Sequence, residues 1–302
     1  MIKLYLLLRF QWFRLSTRFF GLIASIGITK YQEWGDVNTV FIISTGRTGT
    51  HFFSHFFNNN FKNTYCTHEP RIDLFETNIA YARKKISDNF ATKLLLYSRR
   101  KIRKKLDQRG VTNYIESNNN LSYMIPIVRK VFPNYKIVHI VRDGEDIVKS
   151  LYSKTTNRRF EGRVEFLSRD DHRNRLKASF FEDDPYYAKW NNMSRFEKCC
   201  WYWSRKDAWI RKAIKNDERA KTFKFEQLFK EKDPKAWNDL IDFCGLSQDF
   251  NQTDIISYIS QKRSNENKSF KLGDAKEWPP DHIASFKEIA GEHMIESGYE
   301  LT

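Results

Sequence analysis

Three observations predict an α/β fold, a central parallel sheet flanked by helices. Short runs of β-forming apolar residues recur along the chain, two of them break at glycine-containing turns, and stretches of helical pattern come between the runs. Strands that alternate with helices in this way pair in parallel and bury both sheet faces. The size fits, because 302 residues with 40% hydrophobic and 16% aromatic content supply a sizeable core.

The first unit starts at residue 36. Val40-Phe41-Ile42-Ile43 reads as a buried strand, Ser44 to Thr50 as a turn, and His51 to Phe57 as a helix closed by Asn58-Asn59-Asn60. Thr64 to His68 is a second strand, stopped by Pro70. Residues 71–110 have a helical pattern, and their basic run Arg99 to Lys105 reads as a solvated helix face. Tyr114-Ile115-Glu116 is a third strand. Leu121 to Phe132 is a helix closed by Pro133-Asn134, and Lys136 to Val141 is a strand. Arg142-Asp143-Gly144 makes the next turn, and Glu145 to Tyr152 the next helix.

Residues 155–195 are charged and poor in apolar residues, and read as a lid or acceptor-site insert above the sheet. Beyond them lie an aromatic-rich helix at Phe196–Ile214, a strand at Thr222–Phe225, a helix at Trp237–Cys244 ended by Gly245, and a last helix over Pro280–Glu296. Residues 36–302 therefore read as one domain, preceded by a basic and apolar segment at 1–35.

Residues 1–28 contain no apolar run longer than ten residues, whereas a spanning helix needs about 20. Lys3, Gln11, Arg14 and Arg18 share one helical face, with Arg9 the exception. That pattern suits a helix lying on a membrane surface or an ordinary packing helix, and both readings stay open. No small-residue cleavage site follows. The four cysteines, Cys66, Cys199, Cys200 and Cys244, lack CxxC spacing and read as reduced thiols of a cytoplasmic protein, with peripheral membrane attachment as a further possibility.

Lys and Arg number 52 against 37 Asp and Glu, a net charge of +15. Such a field attracts anions. Two segments offer places for them. Ser44-Thr45-Gly46-Arg47-Thr48-Gly49-Thr50 joins a strand to a helix, so glycines permit close backbone approach and the helix start presents free N–H groups. Arg47 adds a cation, and Thr48 and Thr50 add hydroxyls. A nucleoside triphosphatase loop would place lysine before Thr50, where Gly49 stands. The second segment runs from Lys136 to Ser150. Arg142 ends a strand, and Ser150 lies about two helical turns further on, so a guanidinium and a hydroxyl can converge on one phosphate. A surface pair of Arg142 with Asp143 or Asp146 is the plain alternative.

In these residues the chain resembles the sulfotransferases that use 3'-phosphoadenosine 5'-phosphosulfate (PAPS). Arg47-Thr48-Gly49-Thr50 is similar to their 5'-phosphosulfate loop, and Arg142 with Ser150 to their 3'-phosphate motif. Thr222 to Leu228, Phe243 to Leu246 and Trp278 to Tyr299 also resemble the family, so the likeness covers about residues 36–300. It implies a P-loop nucleotide-kinase-like sulfotransferase fold. It implies transfer of a sulfuryl group from PAPS to a hydroxyl acceptor (a carbohydrate, glycolipid or small metabolite), with release of 3',5'-ADP and without a metal. Gly46, Arg47, Thr48, Gly49 and Thr50, with His51 beside them, would hold the 5' end, and Arg142 and Ser150 the 3'-phosphate. Lys268, with Lys271 and Lys276, would close a basic loop over the nucleotide, and Trp201 or Trp203 would stack on adenine.

Catalytic residues expected on this resemblance are Arg47, which stabilises the departing phosphate, and a base from His68-Glu69. Glu69 matches the glutamate of carbohydrate-type members, His68 titrates near neutrality, and Asp73 is a third choice. His51 and His55 share a helix face, but Phe52 stands where a zinc peptidase needs glutamate. A phosphotransferase of the nucleotide-kinase type and a non-enzymatic binder of nucleic acid or anionic membrane are the rival classes. The resemblance itself implies no nucleic-acid partner, and the basic run at 99–105 and the polar insert hint at an anionic or sugar acceptor.

Overall fold

The structure is a computed structural model describing residues 33–302 apart from 71, 159–161, 172, 247–256 and 260–270. The N-terminal segment at 1–28 and Lys268 lie outside the described residues.

Five strands form one parallel sheet: β1 (Asn38–Ser44), β2 (Thr64–His68), β3 (Asn113–Ser117), β4 (Tyr135–Val141) and, after an antiparallel hairpin of β5 (Thr155–Arg158) and β6 (Gly162–Glu165), β7 (Ala220–Lys224). The spatial order is β2-β3-β1-β4-β7. From β1 the chain turns to one side to build β2 and β3, then crosses to the other for β4. Such a reversal opens a crevice at the carboxyl ends of the strands, here beyond Ser44.

Alternation along β1 explains how the sheet is covered. Val40 and Ile42 point to one face, where α1 (Thr50–Asn60) lays down Phe52, Phe53, Phe56 and Phe57 beside Trp237 of α7 (Pro234–Cys244). Phe41 and Ile43 point to the other, against α3 (Asp88–Arg109) and α4 (Ile125–Val131). A third cluster joins α5 (Gly144–Tyr152), α6 (Arg195–Ile214) and α8 (Pro280–Glu296). The helical pattern over 71–110 resolves into two helices, α2 (Phe75–Ala82) and α3. Ser87 separates them by accepting the Phe90 N–H, an N-cap that starts a new helix.

The basic run of α3 departs from the solvated face expected of it. Arg99 is fully buried and forks onto Glu116 of β3, at 2.7 Å through Nε and 2.6 Å through Nη2. Arg103 pairs with Asp36 and Asp107 and donates to the Glu33 carbonyl. Lys105 donates to the Tyr65 hydroxyl. Arg99 ties the helix to the sheet most firmly, because a planar guanidinium satisfies a buried carboxylate bidentately.

In the 155–195 insert, several of the apolar residues are buried, while Tyr187 is exposed. Phe166, Leu167, Leu176, Ala178, Trp190 and Met193 all join the α5–α6–α8 cluster. All four cysteines are buried and unbridged.

Candidate active site

The turn after β1 is braced from within. Ser44 Oγ accepts from the Gly46 N–H at 3.0 Å and the Thr48 hydroxyl at 2.7 Å, and it donates to Asn119 Oδ1 at 2.7 Å. The Thr48 hydroxyl therefore serves the loop itself. The Ser117 hydroxyl donates to the Thr50 carbonyl, which fixes the helix start against β3. Gly46, Arg47 and Gly49 all have left-handed backbone, with φ of 97°, 64° and 72°. At Gly49 a Cβ would also lie 3.0 Å from the Phe229 ring, so glycine is required there. Arginine in that conformation is strained, by about 1 kcal/mol or more. Among the described residues no acceptor takes the backbone N–H of Arg47, Thr48, Gly49, Thr50 or His51. Five donors at the start of an 11-residue helix form a cradle able to hold an anion.

Arg47 Nε donates to Ser150 Oγ at 2.7 Å, and Arg142 Nη1 donates to the Arg47 carbonyl at 2.7 Å. The residues singled out after β1, after β4 and on α5 thus meet in one crevice. Burial, and then the neighbouring Arg142 charge, push the Arg47 guanidinium below its usual range. Arg142 lies over the Phe225 ring at 4.4 Å and shares Asp146 with Lys230, at 3.1 and 2.8 Å, while its Nε is buried without a partner. The plain Arg142–Asp146 pair exists, yet it occupies only one of the guanidinium's nitrogens.

The turn that carries Arg142 is propped from the far end of the chain. Asp143 caps α5 and donates its own N–H to Glu226 Oε1 at 3.2 Å. Glu226 Oε2 accepts the Tyr299 hydroxyl at 2.7 Å, and Lys224 Nζ donates to the Gly298 carbonyl.

Beyond β2, the Glu69 N–H donates to the Ser117 carbonyl at 3.1 Å and extends the ladder by one rung, with φ at 41°. Its carboxylate is exposed, and its charge reaches Lys154, Tyr202 and Lys206. His68 Nδ1 lies 3.1 Å from the Ser117 carbonyl. A carbonyl only accepts, so Nδ1 carries the proton and Nε2 of the neutral ring keeps its lone pair. The His68, His51 and His55 rings lie edge to face and tilted in succession, at 5.3 and 4.8 Å. Asp73 instead accepts the Phe75 N–H and the Asn120 amide, and so holds the turn into α2. Among the described residues no three His, Cys, Asp or Glu side chains are grouped to hold a metal ion.

A sulfotransferase domain model matches residues 38–290, spanning the crevice and every strand of the sheet. The chain belongs to the sulfotransferase domain family. It is accordingly an enzyme that transfers sulfuryl groups. Solved sulfotransferases similar to it include the domain from the curacin biosynthetic pathway, at 11% identity and a TM-score of 0.48 over 90% of this chain and 100% of that one. The sulfotransferase from Alicyclobacillus acidocaldarius is 16% identical with a TM-score of 0.45, over 88% and 97%. Mouse sulfotransferase SULT7A1, solved with PAP, is 14% identical with a TM-score of 0.46, over 86% of each chain. No curated protein sequence matches.

Two aromatic residues proposed for adenine stacking are core in this sulfotransferase. Trp203 is fully buried, and a Cβ at Gly144 would fall 2.3 Å from its ring, so α5 and α6 meet there. Trp201 is 3% exposed and donates Nε1 to Asp184 at 3.1 Å. Neither presents a ring face to a ligand. Of the other basic-loop candidates, Lys271 is tied to Glu165, and Lys276 is exposed.

Sequence reasoning missed Lys154, Arg175 and Lys206. Lys206 stands on α6 three residues after Trp203 and four after Tyr202, within the buried stripe. A lysine in an apolar helical stripe was the available signal.

Proposed function

We propose that this sulfotransferase uses PAPS and moves its sulfuryl group to an acceptor hydroxyl. The observation that carries the reading is the meeting of Arg47, Arg142 and Ser150 beside five unbonded backbone N–H groups. One anionic nucleotide suits that convergence, with its 5' end on the cradle and its 3'-phosphate toward Arg142 and Ser150. The orphaned Arg142 Nε is a donor that such a ligand would satisfy.

PAPS supplies the activated sulfuryl group. Glu69 takes the acceptor's proton as the acceptor oxygen bonds to sulfur. Arg47 and the cradle N–H groups meet the negative charge that develops on the 5'-phosphate oxygen as its bond to sulfur breaks. The products are a sulfate ester and 3',5'-ADP. His68 is a second reading for the base, favoured by its anchored Nδ1 and available Nε2. A nucleotide kinase would instead prefer ATP with magnesium.

Calorimetry with 3',5'-ADP tests the nucleotide assignment. Arg142→Ala removes a charged donor, and hydrogen bonds to charged groups contribute about 1.5–3 kcal/mol, so affinity is expected to fall roughly 10- to 150-fold. Failure of 3',5'-ADP to bind, or an unchanged affinity in the variant, would sink the reading.

The same proposal places the enzyme in a reducing compartment, in keeping with four unbridged cysteines, and at anionic membrane surfaces through residues 1–28. No helix among the described residues is long and apolar enough to cross a membrane. Deletion of residues 1–30 is expected to abolish co-sedimentation with anionic liposomes while 3',5'-ADP binding persists. Retained co-sedimentation would refute surface attachment by this segment.

A further inference from the structure

Next to Glu69, on the acceptor side of the crevice, three cations gather around two aromatic rings. The Arg175 guanidinium lies 4.2 Å from the centre of the Phe166 ring, and the Lys154 amine 5.4 Å from it. Phe166 meets Tyr202 edge to face at 5.3 Å, and the Lys206 amine lies 6.0 Å from the Tyr202 ring. Lys206 is 5% exposed and Arg175 4%. Arg175 Nε is paired with Asp171 at 2.6 Å, but its Nη2 is buried with no partner. Lys206 and Lys154 have no carboxylate at ion-pair distance among the described residues.

Five cations, Arg47, Lys154, Arg173, Arg175 and Lys206, thus face two carboxylates, Glu69 and Asp171. An unpaired buried charge is costly, and a fold retains one where something else supplies the partner. Burial, opposed by the Glu69 charge and reinforced by Lys154 and Arg175, holds the Lys206 amine down at about 7. Burial and then Arg175, Arg47 and Arg173 lower Lys154 to about 8, against the opposing charge of Glu69. An oxyanion arriving between them would restore both to the charged form.

Resting on the sulfotransferase reading above, we propose that Lys154, Arg175 and Lys206 form the specificity pocket of the acceptor site, and that the acceptor is a hydroxyl compound carrying an oxyanion. A carboxylate, a sulfate and a phosphate present the same oxygen face to these donors. The expected acceptor therefore places its reactive hydroxyl at Glu69 and its anionic group toward Lys206.

The test is calorimetry on the full chain saturated with 3',5'-ADP, titrated with glucose, glucuronate, glucose 6-sulfate and glucose 6-phosphate. At least one anionic sugar is expected to bind tenfold or more tightly than glucose, and the arm that wins names the oxyanion. Lys206→Met and Lys154→Met should each erase most of that preference and leave 3',5'-ADP affinity within about twofold. The melting temperature separates this role from a structural one. Because the folded state holds the amine below its ordinary value, Lys206 weakens the fold wherever the unfolded amine is protonated, with the full penalty reached below about pH 7. Lys206→Met should therefore raise the melting temperature at pH 6. No preference for any anionic sugar, a preference that survives both variants, or a lowered melting temperature with unchanged preference overturns the proposal. Loss of 3',5'-ADP binding itself would instead strike the nucleotide reading, so the two failures are distinguishable.

Discussion

Glu69→Gln is expected to lower kcat for sulfuryl transfer by roughly 10²–10⁴-fold, the usual contribution of a positioned general base. The substitution keeps the shape and a hydrogen-bonding oxygen and removes only the basic site. Because Glu69 donates its backbone N–H to Ser117, and among the described residues its side chain makes no hydrogen bond, the strand pairing should be unaffected. Affinity for 3',5'-ADP should stay within about twofold, since the cradle lies after β1 rather than β2. The measurement is transfer from labelled PAPS to acceptors chosen from a panel of glycans, lipids and phenols. His68→Asn is expected to cost less than tenfold, because its Nδ1 bond to Ser117 is positional. A Glu69→Gln enzyme within about threefold of the parent, with His68→Asn severely impaired, would transfer the role to the imidazole.

Arg99→Met is expected to destabilise the protein by about 3–5 kcal/mol, as removal of one partner of a buried ion pair does. Among the described residues, Glu116 would be left fully buried with the Tyr114 hydroxyl and the Asn118 amide as its side-chain donors. Urea denaturation followed by circular dichroism reads the change as a lower midpoint at constant slope. The double variant Arg99→Met/Glu116→Gln should recover part of the loss, because it removes the stranded charge along with its partner. A single variant within about 1 kcal/mol of the parent would contradict the burial of this pair.

The strands were legible because their apolar runs are short, rich in β-formers and closed by turn residues; the strand Thr64–His68 matches its expected bounds, as does the last helix, Pro280–Glu296. Their spatial order was not legible, since β3 inserts between β1 and β2 through contacts that local pattern does not encode. The turns after β1 and β4 could be read because glycine and arginine placement after a strand has a local physical meaning. Arg99 was misjudged for the opposite reason: its burial depends on Glu116, seventeen residues away on another element, and a run of six basic residues resembles a wet surface. Trp201 and Trp203 failed as ligand platforms because an aromatic-rich helix fills a core more readily than it lines a site. The acceptor-side cations escaped notice because they come from three separate stretches, and only the folded chain unites them.

The brace from Tyr299 through Glu226 to the backbone of Asp143 has a consequence for how this enzyme matures. Segments more than 150 residues apart must find each other before the turn bearing Arg142 is secured. Such distant closures form late and slowly. A ribosome-bound chain synthesised only through residue 225 would already own every sheet strand, yet its grip on nucleotide would still await the segment that carries Tyr299.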